Sequence, residues 1–455
     1  MSCHGNNATP PSPAIAPGAE GIDPRRAAEQ AAARGMDPRL TALVPAFDAP
    51  FFQAGLSGYS DAAMRIIARR HGCPLCVTEA LLDRTLLAGG RGFAKADLGE
   101  IEDNIPGGEE DHPLVGQIMG SDPREMAAAA VKMVEQAARA EREYRKLAYA
   151  DGRLPATHLR LPGGEQLAPA PAPATATERR GPGSSTSCLR PSVPPSLPPR
   201  TFATIDVNLA CPVKKIDRKA RGGHWLSEPE GAVEILEAVR EAVPAHIPCT
   251  VKLRRAYDDT PEMAAAFERL LDAAFRIGYG WATVHARTVE QKYIGPSRWD
   301  LLRGIVRRHP DKVILGSGDV WSSAELFRML AYTGVSAVAV ARGCIGNPWL
   351  FREAREMMAG RTPRPPTIGE QRAVLEEHFR LALAVNANGR SGVSQLRRAE
   401  AFTGMAMRKF GIRFAEHHPR AEEARRRFIG VSSLEGWRAV LEEYYAEPAL
   451  AGQPA

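Results

Sequence analysis

With 455 residues, 44% of them hydrophobic and 25% charged, the chain is long enough for two or three domains with substantial cores and has an ordinary globular composition. No apolar run approaches the ~20 residues that cross a bilayer, and no basic stretch followed by an apolar one opens the chain, so neither a membrane span nor a secretory signal is expected and the cytoplasm is the expected compartment. A net charge of +6 points to an anionic partner, and seven cysteines scattered along the chain do not make a disulfide framework.

Residues 1–46 carry Pro, Gly, Ala and Asn with little hydrophobic periodicity beyond an Ala-rich stretch at Arg25–Arg34, so a mostly disordered leader is expected. In Cys73-Pro-Leu-Cys76 the spacing is that of a redox or zinc pair, but no second Cys/His pair lies nearby, and no metal is expected. From Pro50 onward, apolar runs alternate with helical patterns. The expected strands are Phe51–Ala54, Cys76–Ala80, Leu114–Met119, Thr204–Leu209, Thr250–Arg254, Ala282–Ala286, Val313–Gly316 and Ala337–Ala341. Helical segments between them include Asp61–His71, Pro123–Arg139, Pro229–Ala242, Pro261–Ile277, Ser297–Arg308 and Ser322–Ala331. Asp61 and the Ser322-Ser323-Ala324-Glu325 box have the spacing of N-terminal caps. Eight strand–helix alternations predict an α/β fold, a (β/α)8 TIM barrel over residues 47–362, with function at the C-terminal ends of its strands.

Residues 140–200 contain Ala-Pro-Ala-Pro-Ala-Pro and Pro-Ser-Val-Pro-Pro-Ser-Leu-Pro-Pro, a composition that cannot bury a core, and predict a disordered insertion between the third helix and the fourth strand. After a Pro-rich hinge at Pro363–Pro366, helical patterns at Gln371–Ala387, Val393–Phe410, Pro419–Phe428 and Leu434–Tyr445 predict a smaller all-helical domain over 366–447.

Cys211 stands first among candidate residues. It ends the apolar run Ile205–Leu209, Pro212 forbids further ladder pairing, and Lys214, Lys215, Arg218, Lys219 and Arg221 follow, so the thiol is expected at a strand end in electropositive surroundings. Lys252 and Arg254 share one side of their strand, as do His285 and Arg287, and cations aimed into a barrel need an anion or a ligand. Gly316-Ser317-Gly318-Asp319 and Ala341-Arg342-Gly343 close the last two strands, where barrels commonly hold a phosphate. Between Arg397 and Arg427 nine Lys/Arg face four Glu, and Arg397 with Arg408, like Arg398 with Lys409, lie eleven residues apart on one helical stripe.

Several of these motifs, in this order, resemble the bacterial tRNA-dihydrouridine synthases, FMN-dependent flavoproteins that reduce selected uridines in tRNA. They are Gln53-Ala54-Gly55-Leu56-Ser57-Gly58-Tyr59-Ser60-Asp61, Thr78-Glu79, Gly116-Gln117-Ile118-Met119-Gly120, Asn208 to Lys215, Val251-Lys252-Leu253-Arg254, Val284-His285-Ala286-Arg287-Thr288, Gly316 to Val320 and Ala341 to Trp349. The resemblance implies that Ala54, Gly55, Leu56, Gln117, Lys252 and His285 surround the flavin ring and ribityl chain, with Gly318, Asp319, Ala341, Arg342 and Gly343 around its phosphate. It implies Cys211 as the acid, Asn208 placing the uracil, Arg287 and Tyr293 toward the substrate, and tRNA contacts from Arg397, Arg398, Arg408 and Lys409. NADPH is the implied reductant and a monomer the expected state. The chain departs from the family pattern at Gly55, where Pro is usual, at Ser317, where Asn is frequent, and at Phe410, where His is usual.

Overall fold

The computed structural model describes residues 18–87, 111–144 (side chains to 134), 202–213, 216, 219–387 and 393–446. Among the described residues nine short strands follow the alternation read from the sequence: β1 (Phe51–Gln53), β2 (Cys76–Val77), β3 (Leu81–Leu82), β4 (Leu114–Met119), β5 (Thr204–Leu209), β6 (Cys249–Arg254), β7 (Ala282–His285), β8 (Ile314–Ser317) and β9 (Ala337–Val340). All pairings are parallel, β1 pairs with both β9 and β2, and β2 pairs with β4, so the sheet closes on itself. Both β2 and β3 lie on β4, at Cys76↔Leu114 and Leu81↔Ile118, and are two halves of one stave. The closed barrel therefore has eight staves.

The single strand expected over Cys76–Ala80 is interrupted. Thr78 takes the backbone's place in the ladder, since its Oγ1 accepts the Gln117 N–H at 2.9 Å, and Glu79 turns away to accept the Gly58 N–H at 2.7 Å. Asp61 caps its helix by accepting from Met64 N at 2.7 Å, and Ser322 and Glu325 form the expected capping box.

The expectation of a disordered leader is corrected from residue 18 onward. Asp23-Pro24 and Asp37-Pro38 start two helices, Pro24–Arg34 and Pro38–Leu43, each with an aspartate cap and a proline in the first turn. Ala27, Ala28 and Ala31 bury their small side chains in the main core, where the first helix lies against helices Ser323–Thr333 and Trp349–Met358. Leu40, Val44 and Phe47 join Phe52, Val115, Trp281, Leu315 and Ala337 in a second cluster that fills the lower barrel. Small residues here pack closely instead of signalling disorder. Residues 1–17 lie outside the described residues.

The helix after β4 runs Pro123–Tyr144, five residues beyond its expected end, and the remainder of the expected insertion, 145–200, lies outside the described residues. The C-terminal region forms helices Ile368–Ala387, Val393–Phe414, Ala421–Ile429 and Leu434–Tyr444. The first of them rests on helix Ala62–Arg70, where Arg70 pairs with Glu377. Phe410 wedges into this joint, 5.5 Å from the Tyr59 ring and 4.5 Å from His378. Close approach requires Gly346, because a Cβ there would lie 2.6 Å from the Phe414 backbone nitrogen.

Candidate active site

Strand alternation sends Asp206 and Asn208 to the same side of β5. Gln117 from β4 and Lys252 from β6 sit beside them in register, at Gln117↔Asp206 and Asn208↔Lys252. Asp206, Gln117 and Lys252 line one cavity inside the barrel with Phe52, Ala54, Gly55, Trp281 and Thr283. Any side chain at Gly55 would meet the Thr78 carbonyl at 2.3 Å, which requires glycine there. Leu56 stands outside this lining, its N–H donating to Ser60 Oγ.

Burial sets the charge states of Asp206 and Lys252 in the cavity and of His285 at the end of β7. The Asp206 carboxyl is pushed up to about 6 by burial, opposed by hydrogen bonds from Thr250 and Gln117. Lys252 is lowered by burial and then by the neighbouring Arg254, and His285 falls well below its usual range for the same two reasons. The neutral His285 accepts the Arg287 N–H on Nδ1 at 3.2 Å, which leaves its proton on Nε2 as a donor. Gln117, Lys252 and His285 thus form a donor-rich set.

Cys211 stands two residues beyond β5 and is half-buried. Gly222 and Gly223, which the motifs did not single out, enclose it. The Gly223 N–H donates to the Cys211 carbonyl at 3.0 Å, and a Cβ on Gly222 would fall 2.8 Å from Cys211 Cβ. Lys252 and Arg254 both interact electrostatically with the thiol, and Arg254 Nε donates to the Ala210 carbonyl at 3.0 Å. These strand residues supply positive surroundings. Of the basic run after Cys211, Arg221 is instead committed to Asp83 at 3.0 Å, and Lys214, Lys215 and Arg218 lie outside the described residues.

The loops after β8 and β9 form a cradle. Gly318 has φ +120°, a Cβ on it would overlap Ser297 Oγ at 2.2 Å, and one on Gly343 would overlap the Val320 carbonyl at 2.2 Å. Ala341, between β9 and Arg342, is partly exposed. Asp319 accepts from Arg287 Nη2 at 2.6 Å and from Ser297 N at 2.8 Å, while Arg342 stands farther off at 3.7 Å. Arg287, expected on the substrate side, is therefore buried and bound to Asp319 and the Gly295 carbonyl. Tyr293 is 53% exposed at the rim, with the Arg342 guanidinium 4.6 Å from its ring centre and Arg254 at 5.6 Å. Buried Ser297 Oγ and Arg287 Nη1 have no hydrogen-bond partner among the described residues. Ser297 carries no signal in the sequence, being a lone serine after Gly-Pro. Two orphaned donors at a glycine cradle, with Gln117 and Lys252 in the neighbouring cavity, suit a ligand with an anionic end and a flat ring that carries acceptors.

In the helical domain Arg397, Arg398 and Arg408 are exposed. Lys409 is not part of their free surface, because it donates to the Gly58 carbonyl of the barrel and lies 5.0 Å from the Tyr59 ring centre.

The model of the dihydrouridine synthase (Dus) family matches residues 198–409. A probable tRNA-dihydrouridine synthase of Mycobacterium leprae (strain TN) is 33% identical over 182 residues, which cover 40% of this chain and 47% of the relative. The tRNA-dihydrouridine(16) synthase of Neisseria meningitidis (strain DSM 15465 / Z2491) is 31% identical over 209 residues, covering 45% and 60%, and the tRNA-dihydrouridine synthase B of Proteus vulgaris is 28% identical over 242, covering 53% and 69%. The chain spans about half the length of the first relatives it matches. Among solved structures, 2-naphthoyl-CoA reductase superposes with a TM-score of 0.42 at 10% identity, covering 87% of this chain and 67% of that one. Morphinone reductase gives 0.39 at 12% identity, covering 70% and 88%. The family model thus matches across the later barrel strands and into the helical region, and over that part the chain is similar, at about 30% identity, to relatives that share the name tRNA-dihydrouridine synthase.

Proposed function

We propose that this chain reduces uridines in tRNA to 5,6-dihydrouridine, using FMN with NADPH as the reductant, and works as a cytoplasmic monomer. One observation carries this reading: Cys211 is held at a strand end by two glycines, in a barrel whose cavity takes Gln117 and Lys252 into an otherwise largely apolar lining and whose last loops form a glycine cradle with orphaned buried donors. A bound reduced flavin supplies the hydride that one carbon of the uracil C5–C6 bond requires. The other carbon needs a proton, and Cys211 delivers it. Gln117, Lys252 and the Nε2–H of His285 would hold the acceptor edge of the ring, and the positive charge of Lys252 would stabilise negative charge that develops there. Ser297, Arg287 Nη1 and the backbone of Gly318 and Gly343 would hold the phosphate, with Arg342 adding charge from the rim. Asn208 and Tyr293 would face the uridine.

The test is nucleoside mass spectrometry of unmodified tRNA incubated with the protein, FMN and NADPH. Dihydrouridine is expected with the wild type, and Cys211→Ala should lower its rate by about 10²–10⁴-fold while retaining the flavin. Unchanged turnover in the variant would remove Cys211 from the chemistry. A tightly bound flavin without dihydrouridine would point to another substrate.

A further inference from the structure

A single-direction chain of hydrogen bonds joins the cavity floor to the segment that carries Cys211. It begins at the Ala210 backbone N–H, which can only donate, and which gives its proton to Asn208 Oδ1 at 3.0 Å. That fixes the Asn208 amide, so its Nδ2 faces Gln117 Oε1 at 2.8 Å. Gln117 is fixed in turn, and its Nε2 donates to Asp206 Oδ2 at 2.8 Å. The other carboxylate oxygen of Asp206 accepts from Thr250 Oγ1 at 2.7 Å, behind which Thr204 Oγ1 lies at 3.3 Å. Every member is buried, with Asp206 3% exposed, Asn208 7% and Gln117 1%. A chain that starts at an obligate donor must end on an acceptor, and Asp206 is that end.

We propose that Asp206 is a positioning residue that, through Gln117 and Asn208, fixes the orientation of both amides and ties the lining of the cavity to the backbone bearing Cys211. Without the terminal acceptor, Gln117 Nε2 is left buried and unpaired, and only the bond from Asn208 Nδ2 still holds the amide. A flip of Gln117 would set its NH2 against that of Asn208, and a flip of Asn208 would set its NH2 against the Ala210 N–H. The disturbance arrives one residue from the thiol. Because an amide oxygen can also end the chain while Thr250 turns its hydroxyl to accept, Asp206→Asn keeps the polarity and Asp206→Leu breaks it. The charged and titratable groups around Asp206 are Lys252 and Cys249 on β6 and Tyr279 just before β7; only Lys252 favours its ionised form.

Only the cofactor part of this inference rests on the proposed function, so the test has two readouts on the full chain. The first is the rate at which iodoacetamide alkylates Cys211, followed on its own peptide by mass spectrometry without flavin. The second is the FMN dissociation constant from flavin fluorescence. Asp206→Leu is expected to change the alkylation rate by about fivefold and weaken FMN by about tenfold, with Asp206→Asn within about twofold of wild type in alkylation. If Asp206→Leu does not fold, Gln117→Met removes the middle link and is expected to change alkylation equally. Wild-type alkylation in every folded chain-breaking variant, or equal damage from Asn and Leu in both readouts, would overturn the proposal. Absence of FMN binding by the wild type would count against the functional reading alone, with the alkylation series still deciding the relay.

Discussion

At the scale of single residues, the charge state of Asp206 has a signed consequence for stability. Its carboxyl titrates at about 6 in the fold against an ordinary 3.8, so between those values the folded chain holds a proton that the unfolded chain has lost. Stability therefore falls as pH rises through that window and stays at the lower level above it, at a cost of roughly 1–3 kcal/mol. Asp206→Asn should match the wild type in thermal midpoint near pH 4 and exceed it by several degrees near pH 7.5 in flavin-free protein. A difference that does not vary with pH would refute the assignment. Cys211, Asn208, Lys252 and His285 could be picked out as candidates in the sequence because each belongs to a motif on or just after an apolar run. Asp206 reads there as an ordinary polar residue inside a strand. Its role arises from Gln117, 89 positions away, and Ser297 and Gly222 likewise acquire meaning only from segments that folding brings to them.

At the scale of elements, the hydrophobic rhythm marked the staves well, since parallel barrel strands are continuous apolar runs. It failed where a side chain substitutes for backbone pairing, at Thr78, and where alanine-rich helices draw their stability from a neighbouring surface, as Pro24–Arg34 does. The departure at Phe410 is also an element-scale feature. This ring is 1% exposed between Tyr59 and His378, so the apolar residue serves as packing between the barrel and the helical domain. Phe410→Ala should cost about 3–5 kcal/mol locally and loosen the joint. Faster proteolysis within 363–366, with the barrel's hydrogen exchange unchanged, is the expected result; an unaltered cleavage rate would show that the joint does not depend on this ring.

At the scale of the whole molecule, charge is divided between two tasks. Arg398 and Arg408 are exposed, whereas Lys409 fastens the helical domain to the loop after β1. Arg398→Glu with Arg408→Glu should weaken tRNA binding and reduce the slope of log affinity against log salt by about 1 for each phosphate that is no longer neutralised, with FMN affinity unchanged. An unaltered slope would place the RNA elsewhere. The long connection between helix Pro123–Tyr144 and β5 bears on the molecule in another way. Residues 145–203 separate that helix from β5 in sequence, while β4 and β5 are joined along Val115↔Thr204 to Ile118↔Val207. Backbone continuity there is not what keeps those two strands adjacent. The protein is in effect divisible at that seam: two polypeptides meeting there could reconstitute the barrel, and new chain ends opened before β5 would lie away from the candidate site, at the C-terminal ends of the strands.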